Sequence, residues 1–502
     1  MRSTGRRYQQ VSYHRLLEDN DSESIVSDTT RWEQCDIMLT RWLPDSAKPA
    51  VVIVGGICIH LSLGTLYSVG NMSPYILSYL RRQHEVVSSG TASWLVSMVV
   101  IFQAATTTLG GLIERKFGAR VSSAIGCAIV TIGTFATYWS IKSSFWAVAF
   151  TYSMMFGFGV GIAYPGPIVR ATQWLPGRKG LAIGMIVAGF GCGALIFNQI
   201  QTKYINRENF KPDIDKTYFS QDVLLDRVPS AFLVMGGCYV FLQSLGCFLL
   251  AKPSKDDLSR INASVSETWS EPESFAVHPL RVLRSPTFWI LWWTFFITGF
   301  VAVFINAFYK LYGQKFIEDD QFLATTGSVA SIANAFGRIA WGHLGDRFSY
   351  QAAMCCAMAL LCFVFLTFQI AAVTGKAFYF IWVFGIYAGF CSGFSLFPFA
   401  TNRCFGQKYF GVNYGLLFTS QMACAASASV LSELLLHRIG YQNMFFLVSG
   451  LAAIGFILTM LIGFTEYGRP TQRLAHLGAA IPRGISERSN SEKQPYRTLE
   501  EE

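Results

Sequence analysis

Apolar runs of about 20 residues recur along nearly the whole chain, and a run of that length closed on itself as a helix is what a lipid bilayer selects. Twelve can be marked, at 51–79, 91–113, 120–140, 145–170, 179–201, 230–251, 286–312, 321–345, 350–373, 376–402, 411–437 and 442–465. The 502 residues are 52% hydrophobic and only 14% charged, too apolar for a string of soluble domains. The expected fold class is therefore an all-α membrane protein with twelve transmembrane helices. The first fifty residues are polar and carry no cleavable signal pattern, so the first span is expected to direct insertion itself.

Orientation follows from Lys and Arg in the short loops. With the N-terminus cytoplasmic, the inner loops collect Arg115, Lys116, Arg120, Arg178, Lys179, Arg347 and others, while the outer short loops hold fewer, among them Arg81, Arg82, Lys142, Lys315 and Lys376. An even number of spans then puts both termini in the cytoplasm. The plasma membrane is the first expectation, and an endolysosomal or other organelle membrane the alternative. The net charge of +9 calls for no nucleic-acid partner. Of the twelve Cys, nearly all lie within spans and no CxxC pair occurs, so neither a metal site nor a disulfide framework is expected, and no cofactor.

The sequence divides into a tail at 1–50, a six-helix half at 51–251, a linker at 252–285 marked by Pro253, Pro272 and Pro279, a second six-helix half at 286–466, and a tail at 467–502. Both tails are expected to be disordered and cytoplasmic. The halves repeat: GLIERKFGAR at Gly111–Arg120 matches GHLGDRFSYQ at Gly342–Gln351 at an offset of 231. Likewise GFGVGIAYP at Gly157–Pro165 matches GFCSGFSLFP at Gly389–Pro398. Parallel repeats of this kind place a substrate site between pseudo-symmetric halves near the bilayer midplane.

Within the eighth run lies a permanent cation, Arg338, eight residues before Asp346. At 1.5 Å per residue it is roughly 12 Å deep, where an uncompensated charge costs between ~3 and ~17 kcal/mol. It must face a protein interior or a wet cavity, and the sharp reading is a site for an anionic substrate. A structural arginine tying two helices is the bland one. Asn334 shares its helix face, and the 231-residue offset pairs Asn334 with Gln103 and Arg338 with Thr107. Those two are expected to face Arg338 across the cavity. Arg170 and Arg403 also pair, near inner ends, which suits gating. On the first span His60, Tyr67 and Asn71 are seven and four residues apart, one face of an α-helix. Tyr67 and Asn71 are candidate donors to substrate, and His60 is a candidate carrier of a coupling proton. Tyr152, Tyr164 and Tyr387 offer hydroxyls inside the bundle. No Walker loop, HExxH or nucleophile elbow occurs in the context it requires, so an enzyme is not expected.

These residues carry a resemblance. Gly342, Asp346, Arg347 and Phe348 form G-x-x-x-[DE]-R-F, which resembles the signature loop of the major facilitator superfamily. In the first half Arg115 occupies the acidic position and Glu114 stands one residue early. Leu63–Pro74, Trp174–Gly193, Asn334–Gly342 and Asn413–Gln421 resemble the oxalate/formate antiporter and monocarboxylate transporter branch. The resemblance implies that Arg338 binds a substrate carboxylate and that Asp346, Arg347, Glu114 and Arg115 belong to an inner gate. It also implies that oxalate-type relatives carry a lysine where this chain has Gln421, and that monocarboxylate transporters carry a lysine and an aspartate at Asn71 and Asn334. One cation then favours a monoanion, since a dianion leaves a charge unpaired in a low-dielectric site. The expectation is a secondary transporter of small monocarboxylates of the pyruvate, lactate or formate type, working by alternating access in the lipid bilayer, with protons as a candidate partner. The alternatives are a dicarboxylate exchanger of oxalate type and a non-transporting sensor or scaffold.

Overall fold

The computed structural model describes residues 44–85, 94–208, 210, 219–266, 276–313, 316–317 and 320–471, with side chains left out at a few positions inside these ranges, 428–438 among them. The tails expected at 1–50 and 467–502 fall outside these residues, apart from 44–50 and 467–471. Among the described residues every regular element is a helix.

Among the described residues ten helices are long and apolar enough to cross a membrane. They include α1 (Lys48–Arg82), α2 (Trp94–Phe117), α3 (Ala119–Ser140), α4 (Phe145–Trp174), α5 (Pro176–Ile205) and α6 (Asp222–Leu249). After these come α7 (Pro286–Gly313), α8 (Asp320–Arg347), α9 (Tyr350–Thr374) and α10 (Lys376–Phe405). A single hydrogen-bonded run, Phe410–Leu461, supplies the rest. Gly440 divides it, adopting φ 72°, which only a residue without Cβ takes up readily. The result is α11 (410–439) and α12 (441–464). With α8 and α11 the helices reach the twelve expected.

Crossings near the ends that carry the basic loops are set by glycine. A Cβ on Gly180 of α5 would lie 2.3 Å from the Gly342 carbonyl oxygen of α8, and a Cβ on Gly111 of α2 would lie 2.1 Å from the Gly411 carbonyl carbon of α11. Backbones this close admit no side chain, so dispersion and weak contacts act over the whole crossing. The bundle is thereby shut at its basic end.

Inside α1 the residues Gly64–Ser68 form a 3-10 segment. Its cause is a ladder of hydroxyls at a spacing of three, which matches 3.0 residues per turn. Ser62, Thr65 and Ser68 each donate at 2.7 Å to the carbonyl three residues earlier. In return they accept from Gln243 Nε2 at 3.1 Å, Tyr239 Oη at 2.7 Å and Gln201 Nε2 at 2.8 Å. Every buried hydroxyl of the ladder is thus satisfied by α5 or α6.

The segment expected as a plain linker contains a helix, Lys255–Ser266. Ser254 and Asp257 form a reciprocal cap: Asp257 N donates to Ser254 Oγ at 3.1 Å, and Ser254 N donates to Asp257 Oδ2 at 3.1 Å. The other carboxylate oxygen accepts from Lys48 Nζ at 2.8 Å, tying the helix to the start of α1. Farther on, Val277 N donates to the Phe405 carbonyl at 2.9 Å, and Asn413 Nδ2 donates to the Val277 carbonyl at 3.2 Å. One end of the segment is held by α1 and the other by α10 and α11.

Candidate functional site

Arg338 is 0% exposed, and the face of α8 becomes steadily more buried from Ser331 and Asn334, both part-exposed, to this residue. Its Nε donates to Asn334 Oδ1 at 3.2 Å, its Nη1 donates to the Val187 carbonyl of α5 at 3.1 Å, and its plane lies 4.4 Å from the Phe394 ring centroid. Nη2 has no partner. The guanidinium is therefore aimed by two nitrogens and open at the third. A buried donor left open costs about 1–3 kcal/mol, more when charged, so the site is built to be completed.

Phe190, three residues beyond Val187 on α5, leads to the neighbouring groups. Its ring meets Tyr164 of α4 edge-on at 5.5 Å, Tyr67 of α1 edge-on at 5.5 Å and His60 at 6.1 Å. Tyr164 also lies 4.9 Å from His60 and stacks on Tyr414 of α11 at 6.2 Å with the rings 19° apart. Both tyrosine hydroxyls are buried and face one another without meeting hydrogen-bond geometry, and both ring nitrogens of His60 lack a partner. Tyr164, Tyr414 and His60 all stand within electrostatic range of Arg338. Tyr67, by contrast, is 40% exposed and borders both buried tyrosines. Among the described residues the arrangement is one cation, three phenols and one imidazole, beside Phe190, Phe394 and Phe418, with the glycine crossings toward the basic end.

Several candidates are placed elsewhere. Asn71 does not share the His60 and Tyr67 face: it donates to Gln201 Oε1 at 3.0 Å and Thr202 Oγ1 at 3.3 Å on α5. The physical reason is the 3-10 segment, whose five residues turn about 100° further than five α-helical ones, so α-helical spacing misplaces every later residue of the span. Tyr152 packs edge-on against Phe232 at 5.1 Å and beside Ser68, at the α4–α6 contact. Gln421 donates to the Phe295 carbonyl of α7 at 2.8 Å. Gln103 is buried on α2, and Thr107 turns its hydroxyl onto the Gln103 carbonyl at 2.7 Å. Tyr387 donates to Asn306 Oδ1 at 2.7 Å. Tyr414 is the residue the sequence reasoning missed. Its signal was the stripe Phe410, Tyr414, Phe418, four residues apart, with a polar atom only at the middle position.

At the basic end, Asp346 Oδ1 accepts from Gly180 N at 2.9 Å and Oδ2 from Leu181 N at 2.7 Å. These are unsatisfied first-turn donors of α5, where the helix dipole also favours an anion. Arg403 of α10 is an electrostatic neighbour of Asp346, as Arg170 of α4 is of Glu114. Arg347 is exposed, and Arg115 places its guanidinium 4.4 Å from the Tyr409 ring centroid. Lys179 Nζ donates to Asn402 Oδ1 at 3.1 Å and Gln407 Nε2 to Thr172 Oγ1 at 3.1 Å, so polar bonds also link α5 to α10 and α4 to the start of α11.

Among known proteins, the chain is 27% identical over 473 residues to apicoplast pyruvate carrier 1 of Toxoplasma gondii, covering 78% of this chain and 84% of that one. It is 23% identical over 391 residues to the oxalate:formate antiporter of Oxalobacter formigenes, covering 78% and 86%. Among solved structures it resembles a double-tryptophan mutant of XylE, with a TM-score of 0.63, 12% identity and coverage of 84% and 96%. It also resembles FucP in the outward conformation, with a TM-score of 0.59, 12% identity and coverage of 82% and 99%. At these identities the structures speak to the fold alone. The family model described as Major Facilitator Superfamily matches residues 53–429 and 321–484, together most of the chain, and the protein belongs to that superfamily.

Proposed function

We propose that the protein is a secondary transporter of small monocarboxylates of the pyruvate, lactate or formate type, with Arg338 as the anchor for the substrate carboxylate. The single observation that carries this reading is the open Nη2 of a fully buried guanidinium whose other two nitrogens are engaged. Among the described residues Arg338 is the one permanent cation of the arrangement, and while His60 is neutral this cation balances one negative charge and not two. The pyruvate carrier relative is named for a monocarboxylate, which supports the same class. In this reading residues 51–251 and 286–466 are two halves that rock about the site, both termini face the cytoplasm, and the plasma membrane is the first location to examine. Asp346, Glu114, Arg170, Arg403, Arg115 and Arg347 then belong to the inner gate, shut in this structure. Protons are the coupling ion to test first, carried by His60, whose ring reaches Tyr164 in the site.

One observation favours a second reading: a relative named as an oxalate:formate antiporter. Purified protein in liposomes separates the two. Labelled pyruvate uptake should saturate, and excess lactate should compete better than oxalate. Arg338→Lys should lose uptake by ~100-fold or more although it keeps the charge, because an ammonium cannot hold Asn334 and Val187 while addressing a ligand. Preserved uptake by a well-folded Arg338→Ala protein would sink the assignment, and stronger competition by oxalate would favour the exchanger. External acidification should stimulate uptake, and His60→Gln should remove that response while sparing pyruvate–pyruvate exchange.

A further inference from the structure

We infer that Tyr164 and Tyr414 form the part of the site that reads the second oxygen of a 2-oxo or 2-hydroxy acid, beside the carboxylate anchored at Arg338. The inference rests on the monocarboxylate reading above and adds to it a selection at carbon 2.

Both hydroxyls are fully buried, one on α4 and one on α11, with the rings stacked at 6.2 Å. Neither has a hydrogen-bond partner. A phenol buried for packing alone is replaceable by phenylalanine, and leaving its oxygen unpaired costs about 1–3 kcal/mol. Two such hydroxyls, close to one another on different helices yet short of hydrogen-bond geometry, can both turn to donate to one incoming oxygen atom. Their position matters as much as their chemistry. Tyr164 touches Phe190, and Phe190 lies one turn from Val187, the residue whose carbonyl aims Arg338. The open Nη2 and the two hydroxyls therefore lie on neighbouring helices within electrostatic range of one another, with the part-exposed Tyr67 beside both tyrosines.

The donors are of two kinds, and the difference sorts ligands. Nη2 is charged and suits a carboxylate oxygen. The phenols are neutral and suit a ketone or hydroxyl oxygen, whereas a second carboxylate would meet no second permanent cation among the described residues there. Acetate and propionate leave the pair unsatisfied, and a site built to hydrogen-bond an oxygen rejects analogues that lack it far more strongly than it rejects a missing methylene. Because the pair joins α4 to α11, a bound 2-oxo oxygen also links the first six spans to the last six.

The test compares pyruvate with propionate, which keeps the carboxylate and carbon count and lacks the 2-oxygen. In liposomes, and by ligand-induced shift of the melting temperature of detergent-purified protein, the unaltered chain should favour pyruvate by ~10-fold or more. Tyr164→Phe and Tyr414→Phe should each lower that preference, and the double variant should bring the two acids to within about two- or three-fold. Loss should fall on pyruvate and lactate together. If pyruvate keeps its full preference in the double variant, or the unaltered protein takes both acids equally, the tyrosine pair is packing and the inference is wrong while the monocarboxylate reading stands. If no monocarboxylate is transported, or Arg338→Lys is fully active, the broader reading falls and this one with it.

Discussion

The crossing of α5 with α8 and the crossing of α2 with α11 occupy matching places in the internal repeat, and they share a skeleton but not a chemistry. At the first, Gly180 meets Gly342 and Gly184 meets the Arg338 carbonyl. At the second, Gly411 meets Gly111 and Gly415 meets the backbone of Thr107 and Thr108. The 231-residue offset carries each member of one set onto the other. Yet where α8 has Arg338, α2 has Thr107, its hydroxyl closed onto its own helix. Where α8 sets Asp346 on the first N–H groups of α5, α2 has Arg115 at the matching position, a cation that a helix N-terminus repels, and the carboxylate near the first turn of α11 is that of Glu114, 3.4 Å from a Cβ added at Gly411. Arg115 turns to the Tyr409 ring instead. Backbone approach is thus the duplicated element, and charge is the element in which the copies diverged.

The largest effect should come from breaking what the two crossings share. Gly342→Val and Gly111→Val each put side-chain atoms where backbone of the partner helix lies within 2.2 Å of an added Cβ. Overpacking against backbone should cost about 3 kcal/mol or more, ~100-fold in the population closed at the basic end. Uptake should fall accordingly in both, while Gly450→Val on α12, where an added Cβ meets nothing within 4 Å, should transport normally. Equal behaviour of all three would mean that closure does not depend on these crossings.

The next effect separates the copies. Asp346→Asn removes a charged acceptor from two N–H groups and should favour opening at the basic end by about 1–3 kcal/mol, read as faster labelling of a cysteine placed between α5 and α8. Arg115→Asp should act the other way, by about 0.3–1 kcal/mol, since it replaces a cation near the first turn of α11 by a second carboxylate beside that of Glu114. A more open basic end in Arg115→Asp would show that the crossings are not equivalent even in backbone geometry.

How much of this was legible depends on the range over which each feature is determined. Span number and length depend on composition over 20-residue windows, so they were readable; only the left-handed turn at Gly440 was needed to complete them. Arg338 was readable because a buried guanidinium has few tolerable surroundings. Asn71 was misplaced because a periodicity argument assumes one helix type, and the Ser62, Thr65, Ser68 ladder changes the turn angle within α1. That ladder was visible as a spacing of three, but its partners Gln243, Tyr239 and Gln201 come from distant sequence. Tyr414 lies a turn into α11 and meets Tyr164 only through the packing of helices 250 residues apart in sequence, which no local pattern reports.

The smallest effect concerns the segment between α6 and α7, whose two ends are held by different means. Near α1 it is held by charge, Asp257 on Lys48, while near α10 and α11 it is held through the Val277 backbone. Asp257→Ala removes both the reciprocal cap with Ser254 and the ion pair, so helix Lys255–Ser266 should lose about 1 kcal/mol of local stability, roughly a five-fold fall in hydrogen-exchange protection. Asp256→Ala, exposed on the same turn, should change it little. Burial raises the Asp257 pKa, but Lys48 and the Ser254 hydroxyl and N–H together hold it below the ordinary value of 3.8. A lowered carboxylate pKa means that the contact is fully formed above the unfolded value and is lost only as pH falls through the folded one. Protection of 255–266 should therefore be flat from neutral pH down to about pH 4, once corrected for intrinsic exchange, and should drop below it. The Val277 end, which has no titrating group in its two hydrogen bonds, should show no such drop, and loss of protection at both ends together would mean that the segment is released as one unit.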